Sequence, residues 1–225
     1  MDFWCTIGMT ISYVLFDLDN TLYHASSPIL KRINVLINRY VMEYFNVSFD
    51  EANAMRRNAY GTYGTTLRWL QAEHSFEKLE GYLQFIHPED AADWVTTEAG
   101  LREQLDSVPQ PKSVLTNSIS EHAERVLGVL GIRDQFEAVY DLRFNNIVCK
   151  PEKQAYVNVL GRLDVPTEEV LFIDDNPRFL APFAELGGQA ALMDHLDQHP
   201  DCEFARFRSI GELCGYIKNA APILV

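Results

Sequence analysis

Three short, largely apolar runs predict strands that are buried on both faces. They are Tyr13–Phe16, residues 113–115 and residues 170–173, and the first and last are uninterrupted by polar residues. After residue 107, runs of this kind alternate with helical patterns as far as the C-terminus. This alternation predicts an α/β unit built on a parallel sheet.

The segment from residue 24 to about residue 106 has a helical period instead. Its first apolar face is formed by Ile29, Ile33, Leu36, Ile37, Tyr40, Val41, Tyr44 and Phe45. Asp50 is the predicted cap of a second helix that ends near residue 59, and further helices are predicted over residues 66–73, 77–86 and 98–105. We therefore expect a helical unit over residues 24–106.

Polar side chains follow each predicted strand. They are Asp17 and Asp19 after the first run, Thr116 and Asn117 after the second, and Asp174 and Asp175 after the third. Ligands bind at the carboxyl ends of parallel strands, so these groups are expected to meet at one edge of the sheet. Crowded acids repel each other unless a cation or a shared proton relieves the charge, and Mg²⁺ prefers oxygen ligands. The pattern predicts a metal site.

Two further segments carry groups that suit a phosphate. The turn at Thr116 and Asn117 precedes a helix that Ser120 is predicted to cap, and such turns offer N–H and hydroxyl donors. Lys150 precedes Pro151, which is predicted at the first position of another helix. Taken singly, the turn is also typical of ordinary helix capping and the lysine of exposed surface. The order of the motifs is therefore more informative than any one of them.

That order resembles the four signature motifs of the haloacid dehalogenase superfamily, in its phosphatase branch. The motifs are DxDxT at 17–21, the hydroxyl-amide turn at 116–118, Lys-Pro at 150–151 and Asp-Asp at 174–175, and the resemblance runs from about residue 14 to residue 193. It implies a doubly wound, Rossmann-like parallel-sheet core of residues 1–23 and 107–225, with an inserted α-helical cap domain of residues 24–106. Such a cap acts as a lid. A rigid helical lobe is the alternative.

The resemblance also implies catalytic roles. Asp17 is the expected nucleophile, which forms an aspartyl-phosphate, and Asp19 the expected general acid and then base. Thr116 and Asn117 are expected to hold phosphate oxygens, while Lys150 neutralises charge on the nucleophile and the phosphoryl group.

The implied cofactor is Mg²⁺. Its expected ligands are the carboxylates of Asp17 and Asp174 and the main-chain carbonyl of Asp19. Asp175 is expected to help through water or by orienting Lys150. Asn20 stands where the superfamily commonly has glycine, and it tolerates the same tight turn.

Residues 60–70, YGTYGTTLRWL, resemble a cap segment of the pyrimidine 5′-nucleotidase group. The resemblance makes Tyr63 and Arg68 candidates for contact with the base or ribose, and Tyr23 and His24 candidates for the rim of the site. The alternative is that the two glycines and the tyrosines only build a turn between helices.

Composition narrows the classes of partner. The formal net charge of −13 argues against a nucleic-acid polymer, because no basic stripe exists to release counterions. The four cysteines, Cys5, Cys149, Cys202 and Cys214, lack CxxC spacing, so we expect reduced thiols in a cytoplasmic protein. The expected oligomeric state is a monomer or homodimer. No membrane span or signal peptide is predicted, and residues 1–8 are a predicted dispensable extension. His195 and His199 are predicted in a loop, not at a metal site.

The resulting hypothesis is a Mg²⁺-dependent phosphatase of a small phosphomonoester, preferably a pyrimidine nucleoside 5′-monophosphate. One alternative is a phosphatase or mutase that acts on phosphoglycolate or a sugar phosphate, because the cap selects the substrate. A non-catalytic, phosphate-binding regulatory protein is a second alternative. Carbon–halogen cleavage is disfavoured, since dehalogenases of the superfamily do not use the arrangement of Asp19 with Asp174 and Asp175.

Overall fold

The computed structural model describes residues 10–87 and 89–220, and its centre is a six-stranded parallel sheet. The strands are β1 (Tyr13–Phe16), β2 (Lys112–Leu115), β3 (Val139–Tyr140), β4 (Val170–Asp174), β5 (Gln189–Met193) and β6 (Ala205–Phe207). Their order is β3-β2-β1-β4-β5-β6, and every neighbouring pair is parallel. The order reverses between β1 and β4, which confirms the predicted doubly wound, Rossmann-like fold.

Helices cover both faces of this sheet and also form the inserted unit. The helices of the described residues are α1 (Ile29–Phe45), α2 (Phe49–Tyr63), α3 (Thr66–His74), α4 (Leu79–Ile86), α5 (Leu101–Asp106), α6 (Ser120–Leu130), α7 (Lys153–Leu160), α8 (Pro177–Ala184) and α9 (Ile210–Ala220). A short 3₁₀ helix, Glu89–Trp94, lies between α4 and α5 and contacts α6. No helix among the described residues has the length and apolar character that a membrane crossing requires.

The side chains of β1 alternate between two hydrophobic layers. Val14 and Phe16 pack with residues of α5, α6 and α9, whereas Tyr13 and Leu15 pack with residues of α7 and α8. Both layers exclude water, so the strand is buried throughout. This explains why β1 reads as a continuous apolar run.

The helices α1 to α4, which lie within the segment expected to form the cap, pack on one another. Their shared hydrophobic cluster also takes in Ile119, Leu142 and Cys149, so these helices pack against the loops that follow the strands of the α/β core. The predicted boundary at residue 106 needs correction at α5. Leu101 and Leu105 are buried in the core cluster, where α5 packs on α9.

Three predicted helix starts are wrong, and local hydrogen bonds explain each case. Ser48, not Asp50, caps α2, because its side chain accepts from the N–H of Glu51 in a capping box. Ser120 does not cap α6; the residue at the cap position is Ile119, which makes no side-chain cap bond. Instead, the N–H of Ser120 at the start of α6 donates to Asp141 Oδ2 (2.9 Å).

The helix after the Lys-Pro motif starts later than predicted. The N–H of Glu152 donates to the carbonyl oxygen of Cys149 (3.0 Å), which makes a turn of residues 149–152. Pro151 therefore lies in this turn, and α7 begins at Lys153. The predicted N-terminal extension and Cys5 lie outside the described residues.

We predict that Ser48→Ala lowers the free energy of unfolding by about 1 kcal/mol, because the bond from the N–H of Glu51 to the Ser48 side chain is lost. Ser120→Ala is the matched control and is expected to change it by less than about 0.5 kcal/mol. Urea unfolding measures both. Equal losses would contradict the assignment of Ser48 as the cap.

Candidate active site

Two neighbouring strands bring acidic groups to the same edge of the sheet. β1 and β4 pair in parallel, with Phe16 beside Ile173. The N–H of Asp17 donates to the carbonyl oxygen of Ile173 (2.8 Å), which extends this pairing by one residue. Asp17 and Asp174 therefore leave the sheet side by side where the strand order reverses, the place where open α/β sheets bind ligands.

A buried lysine joins these two carboxylates. Lys150 Nζ lies 2.6 Å from Asp17 Oδ1 and 2.6 Å from Asp174 Oδ2. Burial alone would lower the pKa of Lys150, but the two carboxylates raise it, so the ammonium group stays charged. Nζ also lies 5.2 Å from the ring centre of Phe172 and 5.4 Å from that of Phe179. The lysine is fixed beside the predicted nucleophile.

Three carboxylates form a cluster that suits a hard cation. Oxygen atoms of Asp17, Asp174 and Asp175 lie within 4.8 Å of one another. Burial, and then the charge of Asp17, raises the pKa of Asp175 to about 7, and burial raises that of Asp174 well above its usual value. One ammonium group cannot balance three carboxylates, so the donor set fits Mg²⁺.

The DxDN turn supports this cluster. Asn20 adopts a left-handed conformation (φ 61°), as expected for the residue in the glycine position, and its Nδ2 donates to Asp175 Oδ2 (3.0 Å). Thr21 Oγ1 donates to Asp17 Oδ2 (3.2 Å). Of the two roles expected for Asp175, orienting Lys150 is not seen, because Asp17 and Asp174 hold that lysine.

Three donors converge on Asp19. Tyr23 Oη donates to Oδ1 (2.7 Å), Ser118 Oγ donates to Oδ2 (2.8 Å), and His122 Nε2 lies 3.0 Å from Oδ1. Burial alone would raise the pKa of Asp19, but the charge of His122 and these hydrogen bonds lower it. The carboxylate of Asp19 is therefore held in one orientation.

His87, just after α4, extends this network into the cap. His87 Nε2 lies 3.3 Å from Ser118 Oγ, and its ring centre lies 4.8 Å from that of His122. Burial, and then the charge of His122, lowers the pKa of His87 to about 4. The sequence-based assignment missed Ser118, His87 and His122. The available signal was the position of His122 in the first turn of the helix that follows Thr116 and Asn117.

Thr116 and Asn117 end β2 at the same edge, beside the Lys-Pro turn. Thr116 Oγ1 accepts from the N–H of Ser118 (3.0 Å). Asn117 Nδ2 donates to the carbonyl oxygen of Lys150 (3.0 Å), and Asn117 Oδ1 accepts from the N–H of Lys150 (2.8 Å). No described residue accepts from the main-chain N–H of Asn117. The side-chain amide of Asn117 is thus paired with the main chain of Lys150, and the main-chain N–H of Asn117 is the group left for an anion.

A cleft of about 300 Å³ separates the cap from this edge. Asp19, Asn117 and Ser118 line its core side. The other walls are mainly apolar or aromatic and include Ile33, Ile37, Tyr82, Leu83, Ile86 and Phe179. The cleft can therefore hold a phosphate-sized polar group at one end and an apolar or flat group beyond it.

The two cap residues expected at the substrate lie outside this cleft. Tyr63 Oη donates to Glu73 Oε1 (2.6 Å) on the surface. Arg68 Nε lies 2.7 Å from Glu152 Oε1, and Nη1 donates to the carbonyl oxygen of Tyr63 (2.9 Å). Neither side chain lines the cleft, so both assignments are corrected.

The two predicted rim residues are also placed differently. Tyr23 is buried, and its hydroxyl group donates to the carboxylate of Asp19. His24 Nδ1 contacts Ser26 Oγ (2.7 Å) and its ring lies against His195, away from the cleft. His195 and His199 lie in the loop after β5, as predicted, and are not part of the acidic cluster.

The segment of residues 60–70 docks the cap on the catalytic loops. Its contacts are Tyr60 with Asn176 and Arg178, Thr62 with Arg178, Thr65 with Cys149, and Arg68 with Glu152. Gly64 has φ 74°, and a Cβ atom there would lie 3.3 Å from Pro151 Cδ. The glycine therefore permits both the turn and the close approach of the Lys-Pro loop. Cys149, Cys202 and Cys214 are free thiols.

Comparison with known proteins agrees with this geometry. The family model of haloacid dehalogenase-like hydrolases matches residues 11–188, which is most of the chain. The chain belongs to this family. Phosphate metabolism protein 8 of Saccharomyces cerevisiae is 26% identical to this hydrolase in a match of 175 residues that covers 72% of the chain and 54% of the yeast protein. The hydrolase thus spans about half the length of this curated relative.

Solved structures share the hydrolase fold at low sequence identity. The HAD-hydrolase YfnB of Bacillus subtilis, solved with bound magnesium, is 18% identical, with a TM-score of 0.63 over 92% of this chain and 99% of YfnB. L-2-haloacid dehalogenase of Xanthobacter autotrophicus is 17% identical, with a TM-score of 0.59 over 94% of this chain and 100% of the dehalogenase. These likenesses establish the fold. They do not choose between reactions.

We predict that His87 makes the stability of this hydrolase fall at acid pH. An unfolded histidine has a pKa of about 6.5, whereas the folded value for His87 is about 4. Between these values the unfolded chain binds more protons, so stability is present above about pH 6.5 and is lost as the pH falls.

Wild-type protein is therefore expected to lose about 2 kcal/mol more than His87→Gln between pH 7 and pH 5. Urea unfolding at both values measures this. The difference between the two proteins reports the titration of His87 together with its interaction with His122, because the remaining groups titrate in both. Parallel losses would contradict burial of a neutral His87.

Proposed function

We propose that this hydrolase is a Mg²⁺-dependent phosphatase of small phosphomonoesters. The observation that carries the proposal is the position of Asp17, which lies against a charged lysine and within an acidic cluster, with a second carboxylate, Asp19, held at the end of the cleft. Asp19 with the Asp174–Asp175 pair favours phosphoryl transfer over carbon–halogen cleavage.

Asp17 is the nucleophile in this proposal. One of its carboxylate oxygens attacks phosphorus, the bond from phosphorus to the ester oxygen breaks, and an aspartyl-phosphate forms. The Thr116 hydroxyl and the N–H of Asn117 bind phosphate oxygens, while Lys150 offsets charge on the attacking and transferred groups. Asp17, Asp174, Asp175 and the main-chain carbonyl of Asp19 would hold Mg²⁺, which would supply positive charge against the repulsion between carboxylate and phosphate.

Asp19 moves the protons in both halves of the reaction. Protonated Asp19 gives its proton to the leaving ester oxygen, and its carboxylate then accepts a proton from the water that attacks the aspartyl-phosphate. That water breaks the bond to Asp17 and releases phosphate. Without substrate, hydrogen bonds and His122 keep Asp19 ionised. When a phosphate ester binds, its negative charge favours the protonated form of Asp19.

The cleft supports a substrate with a flat, partly apolar group, and we propose a pyrimidine nucleoside 5′-monophosphate. Tyr82 and Phe179 can cover the faces of a base, and aliphatic side chains surround them. Phosphoglycolate and a sugar phosphate, the alternative substrates, have no flat apolar group to cover the apolar and aromatic walls. The support therefore comes from the walls of the cleft rather than from Tyr63 and Arg68.

We predict metal-dependent phosphate release from UMP and CMP that exceeds release from AMP, phosphoglycolate and glucose phosphates. EDTA is expected to abolish it and excess Mg²⁺ to restore it. Asp17→Asn, the control for the covalent mechanism, is expected to lower turnover on the order of 1,000-fold or more while the protein unfolds cooperatively as before. Release led by another ester would discard the pyrimidine assignment. Phosphate binding without any release would favour a regulatory protein.

We predict that His122→Gln lowers kcat for UMP by about 10- to 100-fold with little change in KM, because Asp19 loses its fixed orientation. The loss is expected to be much smaller for p-nitrophenyl phosphate, whose leaving group needs little protonation. Asp19→Asn should show the same dependence on the leaving group. Equal losses for both esters would mean that His122 acts through the general structure of the site instead.

A further inference from the structure

One cationic side chain stands in the otherwise mainly apolar wall of the cleft. Among the described residues that line the cleft, Arg56 of α2 is the one arginine, and no lysine joins it. Asp19, Asn117 and Ser118 line the same cleft at the catalytic edge. A ligand whose phosphate lies at that edge therefore shares this cleft with the guanidinium group.

The guanidinium group is held rigidly by two other cap helices. Arg56 Nε donates to Thr66 Oγ1 (3.1 Å) on α3. On α1, Nη1 donates to the carbonyl oxygen of Asn34 (3.0 Å) and Nη2 to Asn34 Oδ1 (3.0 Å). These bonds use three of the five N–H groups of an arginine. Two donors remain that no described residue accepts.

The charge of Arg56 also lacks a counterion. No carboxylate of the described residues forms an ion pair with it, whereas the nearby arginines Arg32 and Arg68 each have one. Partial burial lowers the pKa of Arg56. The bonds to Thr66 and Asn34 fix the two remaining donors in place, so they are preorganised to meet an acceptor on a ligand. The cleft is where such an acceptor can come from.

We propose that Arg56 is a specificity-determining residue, which donates hydrogen bonds to acceptor atoms on the edge of a flat substrate ring. The proposal rests on the proposed function and deepens it, because it names the group that reads the substrate beyond its phosphate. The carbonyl oxygen of a pyrimidine base supplies such an acceptor, while the ring faces meet Tyr82 and Phe179. A bare ribose phosphate offers no flat ring, and a phenyl ester offers the ring without acceptors.

The test compares kcat/KM for UMP with kcat/KM for phenyl phosphate. Arg56→Gln is expected to lower the ratio of these two values by about 10- to 100-fold, as for the loss of hydrogen bonds to a charged group. Arg56→Lys keeps the charge but loses the planar fork, so its ratio is expected to lie between those of Arg56→Gln and wild type. A cap that merely misfolds lowers both values together and leaves the ratio unchanged.

Arg57→Gln is the matched control. Arg57 is the neighbouring arginine, lies exposed and does not line this cleft, so removal of its charge is expected to leave the ratio as in wild type. An Arg56→Gln variant that keeps the wild-type kcat/KM for phenyl phosphate and shows an unchanged ratio overturns the proposal. So does a wild-type protein that does not prefer UMP over phenyl phosphate.

Failure of the proposed function gives a different result. A wild-type protein that releases phosphate from neither ester is not the proposed phosphatase, and the Arg56 proposal is then tested by calorimetric binding of UMP and phenyl phosphate. Weaker binding of UMP alone, by about the same 10- to 100-fold in Arg56→Gln, supports the proposal. Equal affinity of wild type and variant for UMP overturns it.

Discussion

The ammonium group of Lys150 holds the carboxylates of Asp17 and Asp174 together at the edge of the sheet against their mutual repulsion. Four carboxylates, those of Asp17, Asp19, Asp174 and Asp175, lie in the immediate surroundings of Lys150 and His122. Burial of such charges is costly unless they are paired, so the bridge from Lys150 to Asp17 and Asp174 is a condition for closing the fold over the site. It also ties the third motif to both central strands. This contact fixes the carboxylate of Asp17. Because one ammonium group does not balance three clustered carboxylates, the site also favours the binding of one more cation.

The sequence predicted the centre of the sheet well because β1, β2 and β4 are buried on both faces. A continuous apolar run such as Tyr13–Phe16 has few alternative structures, and the acids that follow it can meet only at the carboxyl edge. The helix starts were harder to predict. Ser120 and Pro151 have the composition of caps, but Asp141 and a turn at Cys149 satisfy the local backbone groups instead. Those partners are remote in sequence or specific to the loop geometry.

The cap shows where local resemblance stops being informative. Tyr63 and Arg68 belong to a recognisable segment, yet their side chains face Glu73 and Glu152. Arg56, seven residues earlier than Tyr63, faces the cleft instead. Which side of a cap helix meets the substrate depends on how the helices dock, and that docking involves long-range contacts such as Arg178 with Tyr60. No periodicity within the cap specifies these contacts.

The side-chain amide of Asn117 pairs with the main chain of Lys150 as a neighbouring strand would. Its amide gives one bond and receives one from the main chain of that residue, which is the reciprocal pattern of a hydrogen-bonded pair in an antiparallel ladder. Two loops separated by 33 positions thereby behave mechanically as a single part. Because the partner groups at residue 150 belong to the main chain, the side chain of residue 150 can change without loss of this pair. A chimaera of two homologues that takes one loop from each parent therefore keeps the pair where the parent that supplies the loop of residue 117 carries an amide there.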